Sequence, residues 1–176
     1  MTDDCTRLLA FYHGTGVDGR GRSLEDVLAF PLDRMETSHD YIQWLFPLDV
    51  PSSVMPDAPL VSLECQRAFA ANPHRMATLR RAFERMLDFY GLLLVAGEAP
   101  QVIKTPAFNE RAANWLTTGN HNFLRLTRIM KSLTLLGAGE LAAALLRCLE
   151  DIYTEHSVII GGTTFGYWRN AASVRS

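Results

Sequence analysis

The sequence predicts an all-α fold, a single domain over residues 1–176 built as an irregular bundle of about seven or eight helices. Three observations support this prediction. Apolar residues recur at helical spacing along most of the chain, and strand patterns are scarce. Capping residues precede several of these segments, and Gly or Pro follows them. Finally, 176 residues with 48% hydrophobic and 20% charged side chains suffice to bury one sizeable core.

The first two helices are predicted from their ends. Residues 2–12 form the first helix, which a glycine-rich stretch terminates. Ser23 is a helix N-cap with Asp26 three residues later, and together they predict a short second helix. Pro31 closes this helix because a proline lacks the N–H that would continue it.

The next predicted helix lies in the segment SHDYIQWLFPL. Thr37 with Asp40 repeats the capping pattern and opens this helix, and Pro47 ends it. Its buried face is predicted to consist of Tyr41, Trp44 and Leu45. The stretch from Pro47 to Pro59 contains four prolines, which predicts an extended loop across the surface.

The middle of the chain predicts two helices and a connection. One helix begins after Ser62 and runs to Ala71, and Asn72 with Pro73 then caps and opens a longer helix that stops at Gly91. The short apolar run that follows fits either a strand or a buried extended segment. We interpret residues 92–104 as an extended connection.

Three further helices and a tail complete the prediction. Pro106 begins one helix, residues 117–120 form a tight turn, and a second helix covers residues 121–136. The third begins at Gly139 and is nearly apolar all round at first, which is typical of a central helix. The tail from Gly161 is aromatic enough to dock on the body of the domain.

Charge is distributed unevenly although the formal net charge is only −2. Residues 1–66 carry 4 basic and 11 acidic side chains, whereas residues 67–131 carry 10 basic and 4 acidic ones. This asymmetry indicates either an anionic partner for the basic third or folding of the acidic third against it. Both interpretations stay open.

The cysteines and the N-terminal sequence predict a cytoplasmic chain. The cysteines are widely spaced and form no CxxC pattern, which favours reduced thiols over a disulfide or zinc framework. They are Cys5, Cys65 and Cys148. The N-terminus lacks the features of a secretory signal, and no apolar run approaches the length of a membrane span. We therefore expect no membrane insertion.

No motif predicts catalysis, a metal site or a cofactor. Gly14, Gly16 and Gly19 match GxGxxG, but a predicted helix precedes them and no strand–helix alternation follows, so a turn is favoured. No two of the five histidines have the helical spacing of metal ligands with a carboxylate partner. A GxSxG elbow is absent, and the cysteines lack a nucleophile context. The chain is therefore predicted to be non-enzymatic.

Polar side chains on helix 121–136 form the best candidate for contact with an anion. This polar arc consists of Asn122, Arg125, Arg128 and Lys131. With the preceding helix and turn, it would imitate a helix-turn-helix that enters a DNA groove. A solvated basic face is the alternative interpretation. Elsewhere, His39 and Gln43 lie four residues apart and form either a hydrogen-bonding surface for a ligand or a cap with a solvated neighbour.

Four segments resemble, in order and spacing, the conserved domain of the opioid growth factor receptor family. They are FYHG at 11–14, ETSHDYIQWLFPL at 36–48, FERMLDFYGLLL at 83–94 and NWLTTGNHNFLRLTRIMKSLTLLG at 114–137. The resemblance is strongest over residues 11–137. The founding animal members are described as receptors for the pentapeptide Met-enkephalin, associated with the nucleus. The compact, arginine-rich chain is expected to be a bacterial member.

The resemblance implies an all-helical fold with no established catalytic residues. It favours a receptor-like, non-enzymatic domain whose partner is a peptide, a protein or an anionic ligand. The predicted ligand contacts are His39, Gln43, Asn114, Asn120, His121, Asn122, Arg125, Arg128 and Lys131. A nucleic-acid or phosphate-binding module that uses the basic face of helix 121–136 is the alternative. An enzyme with a dispersed site around His39 and His121 is a third possibility.

Overall fold

The computed structural model describes residues 2–173, and 62% of these residues are helical. The helices of this part of the chain are α1 (Asp3–His13), α2 (Leu24–Leu28), α3 (Leu32–Thr37), α4 (Ile42–Leu45), α5 (Leu63–Ala70), α6 (Pro73–Tyr90), α7 (Phe108–Trp115), α8 (Asn122–Leu135), α9 (Gly139–Ile160) and α10 (Gly162–Ala172). The strands β1 (Leu92–Val95) and β2 (Gln101–Lys104) pair antiparallel. The predicted all-α class is confirmed in outline, with ten helices among the described residues instead of seven or eight.

The chain forms two compact units. Within the described residues, the first contains residues 2–85 and 135–137, and the second contains residues 86–134 and 138–173. The division falls inside α6, after Arg85. The single-domain organisation stays a prediction.

The helices α3 and α10 were not expected from the sequence, and the predicted N-cap Thr37 is wrong. Pro31 does not close a helix; it is the N-cap residue of α3, with the extended backbone that suits the position before a helix. Thr37 ends α3, where its hydroxyl donates to the carbonyl O of Asp33 (3.0 Å). It therefore does not cap α4, which begins after Tyr41 without any side-chain cap. The second unexpected helix, α10, follows the positive-φ residue Gly161.

Aromatic side chains from α1 pack against α4 and α5 in the first unit. The Tyr12 hydroxyl donates to the carbonyl O of Leu45, and its ring meets Phe69 edge to face at 4.8 Å between centroids. Phe11 contacts Trp44 in the same geometry at 5.4 Å. Burial raises the pKa of Tyr12 because the phenolate would lose its hydration. The predicted burial of Tyr41, Trp44 and Leu45 is confirmed.

A disulfide joins Cys5 on α1 to Cys65 on α5, across a Cα–Cα distance of 5.6 Å. Both side chains are fully buried. The prediction of three reduced thiols is therefore wrong for this pair, because the packing of α1 on α5 brings together residues 60 apart in sequence. Cys148 is a free, buried thiol, as predicted.

Two tryptophans anchor the second unit through their indole N–H groups. Trp115 donates to the carbonyl O of Tyr90 (3.2 Å), and Trp168 on α10 donates to the carbonyl O of Phe123 on α8 (3.1 Å). Each ring satisfies its polar atom while it buries a large apolar surface. The aromatic tail thus docks on the body of its own unit, as the sequence predicts.

The segment predicted as an extended connection is a β-hairpin. Leu92 and Leu94 are buried, whereas Leu93 is exposed, which is the alternation of a strand with one covered face. The positive-φ residue Gly91 leads into β1, and its carbonyl O accepts the N–H of Thr105 (3.0 Å) at the open end of the hairpin. Four-residue runs are too short for periodicity to distinguish these interpretations in advance.

Candidate functional site

The predicted polar residues around the α7–α8 turn form one hydrogen-bond network. The Asn120 amide donates to the carbonyl O of Asn114 (3.0 Å) and to the Thr117 hydroxyl (2.9 Å). Its Oδ1 accepts the backbone N–H of Asn122 (2.9 Å) and that residue's side-chain amide (3.0 Å). The Asn122 Oδ1 then accepts from the Arg125 guanidinium (3.3 Å). These four predicted residues therefore build the turn and the start of α8.

This network leads to a prediction about the stability of the chain. Replacement of Asn120 by Ala removes the acceptor at the N-terminus of α8, and we expect the free energy of unfolding to fall by about 1–2 kcal/mol. Urea denaturation followed by circular dichroism measures it. Asn114→Ala is the matched control, since Asn114 is exposed and contributes its backbone carbonyl to the network. Equal losses in both variants would contradict the role assigned to the Asn120 amide.

The polar arc on α8 is not a solvated face. Asn122 is fully buried, and only 5% of Arg125 is exposed. Arg128 and Lys131 are half-buried, and burial lowers the pKa of the Arg128 guanidinium. A helix that reads DNA needs free side chains in the groove. The burial of Asn122 and Arg125 therefore weighs against the nucleic-acid alternative, although His121 at the start of this segment is exposed.

His39 and Gln43 belong to the first unit, whereas the other seven predicted contacts belong to the second. His39 is exposed, but Gln43 is only 4% exposed. The Gln43 Oε1 is buried and accepts no hydrogen bond within residues 2–173. Neither of the predicted alternatives for this pair fits Gln43, which is neither solvated nor part of an open surface.

The GxGxxG stretch is a turn, as predicted, and its donors are occupied. The buried Asp18 Oδ1 accepts the backbone N–H groups of Arg20 (2.8 Å) and Arg22 (2.9 Å), and its Oδ2 accepts the Nε of Arg22 (2.7 Å). Arg22 also pairs with Asp40 (3.0 Å). Within the stretch itself, the N–H groups of Thr15 and Gly16 donate to the carbonyl O of Ala10 (3.0 Å each), so these donors are not available to a phosphate.

A groove of about 490 Å³ lies between β2 and α9 in the second unit. Strand β2 contributes Val102, Ile103 and Lys104 to its walls, and α9 contributes Cys148, Asp151 and Glu155. None of these residues was predicted as a site. The signal for them was the short apolar run at residues 92–95, which fits a strand of a hairpin, and a hairpin exposes the outer edge of each strand.

Charge in this groove is only partly neutralised. The Lys104 ammonium pairs with Glu155 (2.8 Å) and lowers the pKa of that carboxyl by hydrogen bonding. Burial, reinforced by the nearby Asp151 carboxylate, raises the pKa of the Cys148 thiol to about 11. Asp151 itself is exposed and forms no ion pair among the described residues. The α9 wall therefore presents one unneutralised carboxylate.

The outer edge of β2 carries unused backbone groups. Gly91 and Thr105 form a hydrogen-bonded pair, and in an antiparallel ladder such pairs recur every second residue, so Ile103 belongs to the next one. The N–H and C=O groups of Val102 and Lys104 therefore point away from β1. No strand within residues 2–173 pairs with that side of the sheet.

The described residues contain neither a large cluster of metal ligands nor a membrane span. No group of three or more His, Cys, Asp or Glu side chains within residues 2–173 is placed to hold a metal ion. No helix in this range is both long enough and apolar enough to cross a bilayer.

The chain is similar to known proteins over most of its length. A family model described as the opioid growth factor receptor (OGFr) conserved region matches residues 9–173. The chain is 39% identical to the opioid growth factor receptor of Mus musculus over 127 residues. This aligned region covers 72% of the chain and 20% of that receptor. The chain is 38% identical over 142 residues to the Rattus norvegicus receptor (78% and 24%). Opioid growth factor receptor-like protein 1 of Xenopus tropicalis is 36% identical over 105 residues (60% and 20%).

The chain thus spans less than a quarter of the length of each of these relatives. No solved structure matches it.

Proposed function

Because this chain belongs to the opioid growth factor receptor conserved-region family, we propose that it is a receptor-like, non-enzymatic domain that binds a peptide along the outer edge of β2. The observation that carries the proposal is the groove beside that edge, whose backbone donors and acceptors lack a neighbouring strand. An extended peptide satisfies such groups by adding a strand, and the flanking surface selects its side chains.

The two faces of the hairpin favour a peptide of alternating character. On the open face, Leu93 and Ile103 lie opposite each other and are 51% and 44% exposed, so an added strand would place apolar side chains beside them. On the face toward α9, the unneutralised carboxylate of Asp151 favours a cationic side chain. We therefore propose a ligand that presents apolar residues to one face and one Lys or Arg to the other.

The nine contacts predicted from the sequence do not line the groove beside β2. Asn120, Asn122 and Arg125 hold the start of α8, and His39 and His121 stay predictions that the proposed peptide site does not use. A bacterial source and a cytoplasmic location also remain predictions. A disulfide is typical of oxidising compartments, so the one between α1 and α5 weighs against the cytoplasm.

Amide hydrogen exchange of the full-length chain tests the proposal. We expect the Val102 and Lys104 amides to exchange freely without ligand and the Ile103 amide to be protected already by β1. The probe is a capped pentapeptide of valine and threonine around a central arginine. At a concentration 100-fold above Kd it should slow exchange at Val102 and Lys104 by about 100-fold, as residue-resolved NMR measures. Unchanged exchange at both amides would remove the proposal.

A charge exchange provides the matched control. The same pentapeptide with a central glutamate should bind several-fold more weakly, and Asp151→Lys should reverse that preference, since Asp151 is exposed and its replacement leaves the core intact. Met-enkephalin, which has no cationic side chain, should bind more weakly than the arginine peptide. An unaltered preference in Asp151→Lys would contradict the role given to this carboxylate.

A further inference from the structure

Two histidines from separate helices meet on the surface of the first unit. His13 is the last residue of α1, and His74 lies in the first turn of α6. Their ring centroids are 5.3 Å apart with the planes at 76°. Both side chains are exposed. The peptide proposal uses neither of them, and they lie 61 positions apart in sequence, which is why helical spacing does not reveal the pair.

The backbones that carry the two rings are fixed locally. The left-handed C-cap Gly14 ends α1 and donates its N–H to Phe11 (3.2 Å), which holds the last turn. At α6, the Asn72 side chain accepts the N–H of Arg75 (3.0 Å) and caps the turn that contains His74. The imidazoles thus approach each other from anchored helix ends, and their pairing costs little backbone ordering.

We infer that His13 and His74 form a binding site for a transition-metal ion of the kind that imidazole prefers, such as Zn²⁺ or Cu²⁺. Two imidazoles on one tetrahedral ion, with metal–nitrogen bonds of about 2.0–2.1 Å, have ring centroids roughly 5 Å apart. The observed separation matches this value. Exposure of the pair leaves room for water or an incoming ligand at the remaining coordination positions.

The site has two protein ligands, so other coordination positions of the ion stay open. No third His, Cys, Asp or Glu within residues 2–173 joins the pair in a cluster able to hold a metal. Structural zinc sites use four protein ligands, whereas sites with fewer retain exchangeable positions. The pair therefore binds its ion reversibly, and the bound ion bridges α1 and α6.

Titration of the full-length, tag-free chain with ZnCl₂ tests the inference. Isothermal calorimetry should show one saturable site, and removal of either ligand by His13→Ala or His74→Ala should weaken it at least about 10-fold, since even outer-shell partners of metal ligands are worth 10–100-fold. His156→Ala is the matched control, because His156 has no neighbouring imidazole, and it should retain the wild-type affinity.

Long-range ¹H–¹⁵N spectra of the wild-type chain supply a readout that does not depend on variants. The imidazole signals of His13 and His74 should shift together at one equivalent of Zn²⁺. Saturable binding that survives both alanine variants would overturn the inference, as would a shift of only one of the two rings. Absence of any saturable heat would overturn it as well.

Discussion

Reduction of the Cys5–Cys65 disulfide is expected to lower the free energy of unfolding by about 4 kcal/mol. The bond closes a loop with a sequence separation of 60 residues, and a cross-link of that span removes much of the conformational freedom of the unfolded chain. Both cysteines are fully buried in the folded chain, and we expect the reduced thiols to pack there as small apolar groups. Urea denaturation with and without dithiothreitol measures the difference.

The double variant Cys5→Ala, Cys65→Ala isolates the cross-link from other effects of the reductant. Its stability should be insensitive to dithiothreitol and close to that of the reduced wild-type chain. The remaining thiol, Cys148, is buried and free in every form, so it contributes equally to all measurements. A wild-type chain whose stability ignores dithiothreitol, while the thiol count rises on reduction, would contradict the expected 4 kcal/mol.

Helices whose ends are encoded locally could be predicted from the sequence. Ser23 and Asp26 form the predicted capping box, with the Ser23 hydroxyl accepting the N–H of Asp26 (3.1 Å). Gly14 ends α1 in the left-handed conformation. These signals work because a cap and its partner lie within four residues of each other, so no tertiary contact decides the outcome.

Features that depend on contacts distant in sequence could not be predicted. The cysteine pair became visible only when α1 packed on α5, because spacing alone carries no pairing information. Pro31 is compatible both with the end of one helix and with the start of the next, and the chain uses the second option. Short strands are equally ambiguous, so the hairpin was missed.

The dependence on contacts distant in sequence also limits the prediction of the site. Exposed chemistry was assigned to polar side chains on a helix, yet Asn122 and Arg125 are buried, because a shared hydrogen-bond network satisfies them. Conversely, the groove beside β2 is defined by backbone groups of β2 and by side chains of α9, a helix that is distant in sequence. Side-chain type along the sequence does not report the outer edge of a strand. Family resemblance locates the conserved segments but does not reveal this geometry.

Replacement of Gly91 by Ala is expected to lower the free energy of unfolding by about 3 kcal/mol. Gly91 has φ +75°, a conformation that costs a residue with a Cβ about 1–2 kcal/mol. The added Cβ would also lie 2.8 Å from the Cα of Phe108 and 3.0 Å from the Cβ of Arg111, both on α7. Overlap with a packed helix costs typically about 1–3 kcal/mol more. Urea denaturation measures the sum.

Gly119→Ala separates the two contributions. Gly119 has φ +71°, but apart from its two chain neighbours no atom of the described residues lies within 4 Å of the position that its Cβ would take. This variant should therefore lose only the conformational part, about 1–2 kcal/mol, and the difference between the variants measures the clash with α7. Equal losses in both variants would mean that α7 moves away from the added Cβ without a cost in free energy.

The Gly91 carbonyl O accepts both the N–H and the hydroxyl of Thr105. The displacement in Gly91→Ala should therefore also weaken binding of the arginine peptide at β2, whereas Gly119→Ala should leave that binding unchanged.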